Sequence, residues 1–91
     1  MNNIIVTLQK QMSIIYIHLI TIAIFSVIYF YATKKTGTKK DKENFSSYEN
    51  TVYYTTITHF TVGFGDISPE SKTLKRLTML QILLAFYLMN L

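Results

Sequence analysis

Cysteine and tryptophan are both absent from this sequence of 91 residues. Without cysteine, the chain can form no disulfide framework, no thiolate metal site and no cysteine nucleophile. A chain of this length makes one domain at most, and it buries little core unless a membrane, a metal or partner subunits help. These absences favour a membrane protein or an oligomer over a small disulfide-rich protein.

Acidic residues are scarce, with five Asp plus Glu against nine Lys plus Arg and a net charge of +4. Such a balance could indicate nucleic-acid binding. Most of the excess charge, however, lies in one polar stretch between two apolar regions. The cations of this stretch are Lys34, Lys35, Lys39, Lys40 and Lys42. A solvated loop between membrane helices explains them, so we expect no nucleic-acid partner.

The first apolar run extends over residues 11–33 and contains no charged residue. As a helix it would be roughly 35 Å long, enough to cross a hydrocarbon core of about 30 Å. The pattern predicts a first transmembrane helix over about 12–33, followed by a turret loop over 34–45. A cleaved signal peptide is the alternative, although the run is longer than is usual for one and no small-residue cleavage site follows it.

A short helix is predicted over residues 47–58. Ser46 and Glu49 have the spacing of a capping box, in which each side chain bonds a backbone N–H of the other residue. At about 18 Å this helix is too short to span a membrane. Its apolar and hydroxyl-bearing side chains are typical of burial among other helices.

The last apolar segment predicts a second transmembrane helix over 73–91. Pro69 precedes it and cannot continue an earlier hydrogen-bonded ladder, while Ser71 or Thr73 can cap the new helix. The predicted length is about 28 Å. Lys75 and Arg76 lie near its start, where long side chains can reach the membrane interface.

Residues 58–66 resemble the potassium channel signature T-x-x-T-x-G-(Y or F)-G-D. They read Thr58-His59-Phe60-Thr61-Val62-Gly63-Phe64-Gly65-Asp66. Potassium channels are the standard example of a filter whose backbone carbonyls replace the hydration shell of the ion. Gly63 and Gly65 permit the positive φ angles that such a backbone needs. One chain offers one strip of carbonyls, so we expect four chains around an axis.

The layout as a whole resembles the miniature potassium channels encoded by algal viruses. The resemblance implies an all-α membrane protein, a homotetramer in the lipid bilayer of a host cell or virion. Each subunit would have two transmembrane helices, a re-entrant pore helix and a filter loop. Potassium would pass passively as the permeant ion, with no cofactor. A non-selective viroporin and a non-conducting membrane subunit are the alternatives. No catalytic constellation is present, so we expect no enzyme.

The resemblance also assigns roles to individual residues. The filter is expected at Thr61, Val62, Gly63, Phe64 and Gly65, with K⁺ held at the first four. Asp66 is expected at the outer mouth, where four copies would attract cations, with a helix cap as the alternative. Filter support is expected from Tyr53, Tyr54, Thr58 and His59. The sequence departs from the wider family in having Phe64 instead of Tyr, Phe60 where Thr or Ser is usual, and Ile57 where some members carry a carboxylate.

A cavity lining is predicted on one stripe of the second transmembrane helix, because a polar Gln81 is costly when it faces lipid. The stripe comprises Thr78, Gln81, Ala85 and Leu88. Packing of Gln81 against another helix is the alternative. The inner mouth is expected to carry the carboxylate of Leu91, with Lys10 as its cationic partner. His18 receives no function.

The charge distribution and the family resemblance predict opposite orientations in the membrane. The loop over 34–45 holds most of the cations near the span ends, so the positive-inside rule would place it in the cytoplasm. The resemblance implies the opposite, because in such channels the pore loop enters from outside and both termini stay inside. We expect the orientation of the family, since the charge rule is a bias and a short loop is easily translocated.

Overall fold

The computed structural model describes residues 2–90, which contain four α-helices. They are α1 (Asn2–Thr36), α2 (Lys39–Asn44), α3 (Tyr48–His59) and α4 (Lys72–Met89). No strand occurs within these residues. The molecule is elongated, at 55 × 22 × 21 Å, because α1 alone has 35 residues and rises about 1.5 Å per residue. Helices α3 and α4 both pack against α1 and against each other.

Helix α1 is the one helix within residues 2–90 whose length and apolar content are typical of a membrane span. It contains the predicted span over 12–33 but begins much earlier, at Asn2. Lys10, expected just before the span, therefore lies within α1, where it is exposed. Helix α4 has 18 residues and carries three cations, Lys72, Lys75 and Arg76, in its first half.

The predicted turret loop over 34–45 is wrong in detail, because most of it is helical. Helix α1 continues to Thr36, and α2 occupies Lys39–Asn44. A capping box at Thr38 and Asp41 explains this short helix, since each side chain accepts a hydrogen bond from the backbone N–H of the other residue. The high density of charge favoured a solvated loop in the sequence analysis, so the capping box was overlooked.

The starts of α3 and α4 both depend on serine caps. The predicted capping box of Ser46 and Glu49 is wrong, because the hydroxyl of Ser47 accepts the hydrogen bond from the backbone nitrogen of Asn50, at 3.2 Å. Of the two caps considered for α4, the structure has Ser71, whose hydroxyl accepts from the backbone nitrogen of Leu74 at 3.2 Å. Each serine satisfies an N–H that has no partner within its helix.

A mostly aromatic cluster of buried side chains joins α1, α3 and α4. Its buried members are Phe25, Tyr29, Phe45, Tyr54 and Leu74. The Tyr29 ring stacks on Phe45 with centroids 6.4 Å apart and meets Tyr54 edge-on at 5.5 Å. Such aromatic pairs contribute about 0.5–1.5 kcal/mol beyond their buried area. Tyr29 lies near the end of α1 and Leu74 near the start of α4, so the cluster joins these two parts of the helices.

Candidate functional site

The segment between α3 and α4 contains the filter motif and is hydrogen-bonded to the last turn of α3. The N–H of Thr61 donates to the carbonyl oxygen of Thr58 at 3.1 Å, and the N–H of Val62 donates to that of Ile57 at 2.8 Å. The N–H of Gly63 also donates to the Ile57 carbonyl, at 3.3 Å. The end of α3 therefore determines where the motif begins.

The backbone of the motif alternates in the sign of φ. Positive values occur at Thr61 (59°), Gly63 (56°) and Gly65 (83°), and at no other described residue. The expected positive φ at both glycines is confirmed, whereas that at Thr61 was not predicted and is rare for a β-branched residue. A Cβ at Gly63 or Gly65 would meet no atom within 4 Å. Conformation, and not lack of space, is what requires glycine at these two positions.

The side chains of the motif are exposed in the single chain. Val62 is 52% exposed and Phe64 is 69% exposed. Beside them lies an open cavity of about 380 Å³ between the motif, α3 and α4. Its walls include Ile57, Thr58 and Ile82. The motif thus presents apolar surface that the rest of the chain leaves uncovered.

Asp66, at the end of the motif, is bonded back to α3. The hydroxyl of Tyr53 donates to a carboxylate oxygen of Asp66 at 3.0 Å. The alternative role of Asp66 as a helix cap is excluded, because Ser71 caps α4. Tyr53 therefore joins the predicted pore helix to the far end of the motif.

The other predicted support residues are buried near the motif. Tyr54 shares a hydrogen bond with the hydroxyl of Thr78 at 2.8 Å and so joins α3 to α4. Thr58 is buried and supplies the carbonyl that holds Thr61. His59 is fully buried, and its Nε2 lies 2.8 Å from Nδ1 of His18 on α1.

The histidine pair was missed by the sequence analysis, which left His18 without a function. The two residues are 41 positions apart, and no periodicity relates them. The available signal was that each is a polar group in an apolar segment, where polarity is costly unless it finds a partner.

The predicted cavity lining is wrong for Gln81 and Ala85, because both are 0% exposed within the subunit. The Gln81 amide oxygen accepts from the Tyr29 hydroxyl at 2.7 Å, and its nitrogen donates to the Thr55 carbonyl at 2.9 Å. Partners on α1 and α3 satisfy the amide in place of water. Packing between helices, the alternative considered for Gln81, is what the structure shows. Thr78 and Leu88, the other members of the stripe, are partly buried.

The predicted inner mouth is only partly described. Leu91 lies outside the described residues, and Lys10 is exposed on α1. Among residues 2–90, no group of three His, Asp or Glu side chains is arranged to hold a metal ion.

Comparison with known proteins places this arrangement in a family. The family described as "Ion channel" matches residues 9–91. A relative, "Potassium channel protein kcv" of Paramecium bursaria Chlorella virus 1, is 31% identical over 75 residues, which cover 79% of this chain and 80% of the relative. No solved structure matches the chain. Because the family match includes most of α1, the motif and α4, the chain belongs to the ion channel family, as a membrane protein of the miniature viral potassium channel type.

Proposed function

We propose that this chain is one subunit of a homotetrameric channel that conducts K⁺ passively across a host-cell or virion membrane. The observation that carries the proposal is the alternation of φ, with positive values at Thr61, Gly63 and Gly65. Alternation of left-handed and ordinary residues directs successive carbonyls to one side of the segment. Such a row of neutral oxygens is what a dehydrated K⁺ needs.

The filter would extend from Thr61 to Gly65, with K⁺ held at the levels of Thr61, Val62, Gly63 and Phe64. Neutral carbonyls suit conduction, because they bind a cation without trapping it as a carboxylate would. Asp66 follows directly and is exposed, so four copies would form a ring that raises the local cation concentration. The carbonyl end of α3 carries a partial negative charge and lies next to the entrance of the filter.

The membrane placement would use α1 and α4 as the two spans, with α3 as the re-entrant pore helix. Helix α3 has 12 residues and is too short to cross a bilayer. The irregular motif after it is tolerated at membrane depth when it lines an aqueous path or is buried in protein. The cations near the start of α4 would reach the interface with their long side chains.

The tetramer is supported by the surface that one subunit leaves open. The exposed Val62 and Phe64 and the cavity of about 380 Å³ beside the motif would be costly if they remained uncovered. Four copies around an axis would enclose the ion with carbonyls on every side. The printed name of the viral relative, a potassium channel protein, supports the same ion. The family consists of ion channels, which favours transport and not catalysis.

A reversal-potential measurement tests the proposal. Purified protein is inserted into planar bilayers with K⁺ on one side and Na⁺ at equal concentration on the other. We expect currents whose reversal potential is displaced strongly towards the K⁺ equilibrium potential. Reversal near 0 mV would indicate a non-selective viroporin, and absence of current from assembled protein would indicate a non-conducting membrane subunit.

A further inference from the structure

Two buried histidines connect α1 to the end of α3. Nδ1 of His18 and Nε2 of His59 are 2.8 Å apart, and the two rings meet edge-on with centroids 5.0 Å apart. His59 is 0% exposed and His18 is 9% exposed. Neither ring forms an ion pair in the part of the chain that the structure describes. The contact is therefore a hydrogen bond between two imidazoles, shielded from water.

The second nitrogen of His59 indicates which ring donates. Nδ1 of His59 is buried and has no hydrogen-bond partner. A neutral imidazole carries one N–H and one lone pair, and a buried N–H without an acceptor is rarer than an unpaired acceptor. We therefore assign the proton to Nε2 of His59, which donates to Nδ1 of His18. In this tautomer His18 is the acceptor that fixes the ring orientation of His59.

His59 belongs to the last turn of α3, to which the filter motif is hydrogen-bonded. It is the last residue of α3, directly after Ile57 and Thr58, whose carbonyls accept the N–H groups of Val62 and Thr61. A rotation of this turn would move both acceptors and, with them, the first carbonyls of the motif.

We propose that His18 is a positioning residue for the filter, because its hydrogen bond to His59 locks the last turn of α3 against α1. The inference rests on the proposed channel function. Helix α1 would then contribute to ion selectivity without touching the ion. Loss of the bond would allow the first carbonyls to shift, and discrimination between K⁺ and Na⁺ would fall.

Two substitutions at one position separate hydrogen bonding from packing. In His18→Asn the amide oxygen occupies the place of Nδ1 and can still accept. In His18→Phe a ring fills the site, but no acceptor remains. Both variants are prepared as full-length protein, and tetramer formation is checked by size-exclusion chromatography in detergent. The permeability ratio of K⁺ to Na⁺ is then measured from reversal potentials.

We expect His18→Phe to assemble and to lower the permeability ratio by about tenfold, a change that corresponds to about one of the four buried hydrogen bonds that are lost. His18→Asn should retain a ratio within about twofold of the original protein, because its amide oxygen still accepts the hydrogen bond from His59. A purely structural role would lower assembly and current amplitude without changing selectivity. The inference is overturned if His18→Phe keeps the original ratio, or if His18→Asn loses selectivity as fully as His18→Phe.

A measurement on the unaltered protein covers the case in which His18→Phe does not assemble. The protein is labelled with ¹⁵N-histidine and examined by solid-state NMR in lipid bilayers. We expect a correlation through the hydrogen bond between a protonated Nε2 and an unprotonated Nδ1 of the other ring. Absence of this correlation overturns the inference even if the channel is selective. If the unaltered protein passes no selective current, the proposed function fails first and the inference falls with it.

Discussion

The carboxylate of Asp41 on α2 accepts a hydrogen bond from the backbone nitrogen of Glu70, at 2.7 Å, and so anchors the approach to α4. It also accepts from the backbone nitrogens of Ser71 and Thr38, each at 3.0 Å. Asp41 is 0% exposed. Although burial acts to raise the pKa of Asp41, hydrogen bonds from Glu70, Thr38 and Ser71 hold it below the ordinary value. The start of α4 adds a favourable helix dipole.

Acid should therefore loosen this anchor. Because the pKa of Asp41 is lowered on folding, its contribution to stability is fully present above the ordinary aspartate pKa of about 3.9 and is lost as the pH falls through the lower, folded pKa. We expect the melting temperature of the purified protein to be insensitive to Asp41 between pH 7 and pH 5 (roughly one to three units above that pKa), and to fall below about pH 4.

Asp41→Asn isolates this effect. The amide turns N–H groups towards backbone donors, so we expect a loss of about 1–3 kcal/mol at neutral pH. The melting temperature of Asp41→Asn should also lack the acid-induced fall that is due to Asp41. Glu43→Gln, at an exposed position on the same helix, is the matched control and should melt as the original protein does. Equal melting of all three proteins at pH 7 would contradict the anchor.

Gly63→Ala should abolish conduction while leaving assembly intact. The φ of 56° at Gly63 is unfavourable for any residue with a Cβ, by about 1 kcal/mol or more in each subunit. No neighbouring atom would be displaced, so the fold should survive. Bilayer currents and size-exclusion chromatography are the two measurements. Normal K⁺ currents would refute the filter assignment.

Gly37→Ala provides the contrasting case. A Cβ at Gly37 would lie 2.5 Å from the carbonyl oxygen of Thr33, so this change should lower thermal stability through a steric clash. Gly37 lies between α1 and α2, far along the chain from the filter motif. We expect reduced yield of assembled protein, with unaltered selectivity in whatever assembles.

The bond between Tyr53 and Asp66 should hold the outer end of the filter. Tyr53→Phe removes the hydroxyl that donates to Asp66, and Asp66→Asn weakens the acceptor. Each change alone should shorten single-channel openings several-fold, as expected for an exposed hydrogen bond worth about 0.5–1.5 kcal/mol. The double variant should be little worse than Tyr53→Phe alone, because loss of the Tyr53 hydroxyl already removes the contact. Additive effects would show that the two residues act separately.

Local signals predicted part of the fold, although the capping box of Thr38 and Asp41 was missed and that of Ser46 and Glu49 was wrong. The motif from Thr61 to Gly65 is contiguous, and the spacing of Ser71 before an apolar segment is a recognisable cap. The partners of Gln81 could not be predicted, because a polar residue in an apolar helix can face either water or a buried partner. Its partner Tyr29 lies 52 positions away. The hydrogen bond between His18 and His59 could not be predicted either, because no sequence periodicity relates residues on different helices.

The orientation in the membrane can be tested at Lys39, where the charge rule and the family disagree. Lys39 is exposed on α2, and Asp41 ties α2 to Glu70 and Ser71 at the start of α4. The cations of α2 and of early α4 therefore lie at one end of the molecule, and a single label reports the side of both.

The chain contains no cysteine, so Lys39→Cys introduces a unique thiol. We expect a membrane-impermeant thiol reagent to label it in intact cells. Asn3→Cys, near the opposite end of α1, is the control and should react only after the membrane is opened. The reverse pattern would mean that the positive-inside bias prevails and that the filter motif enters from the cytoplasm.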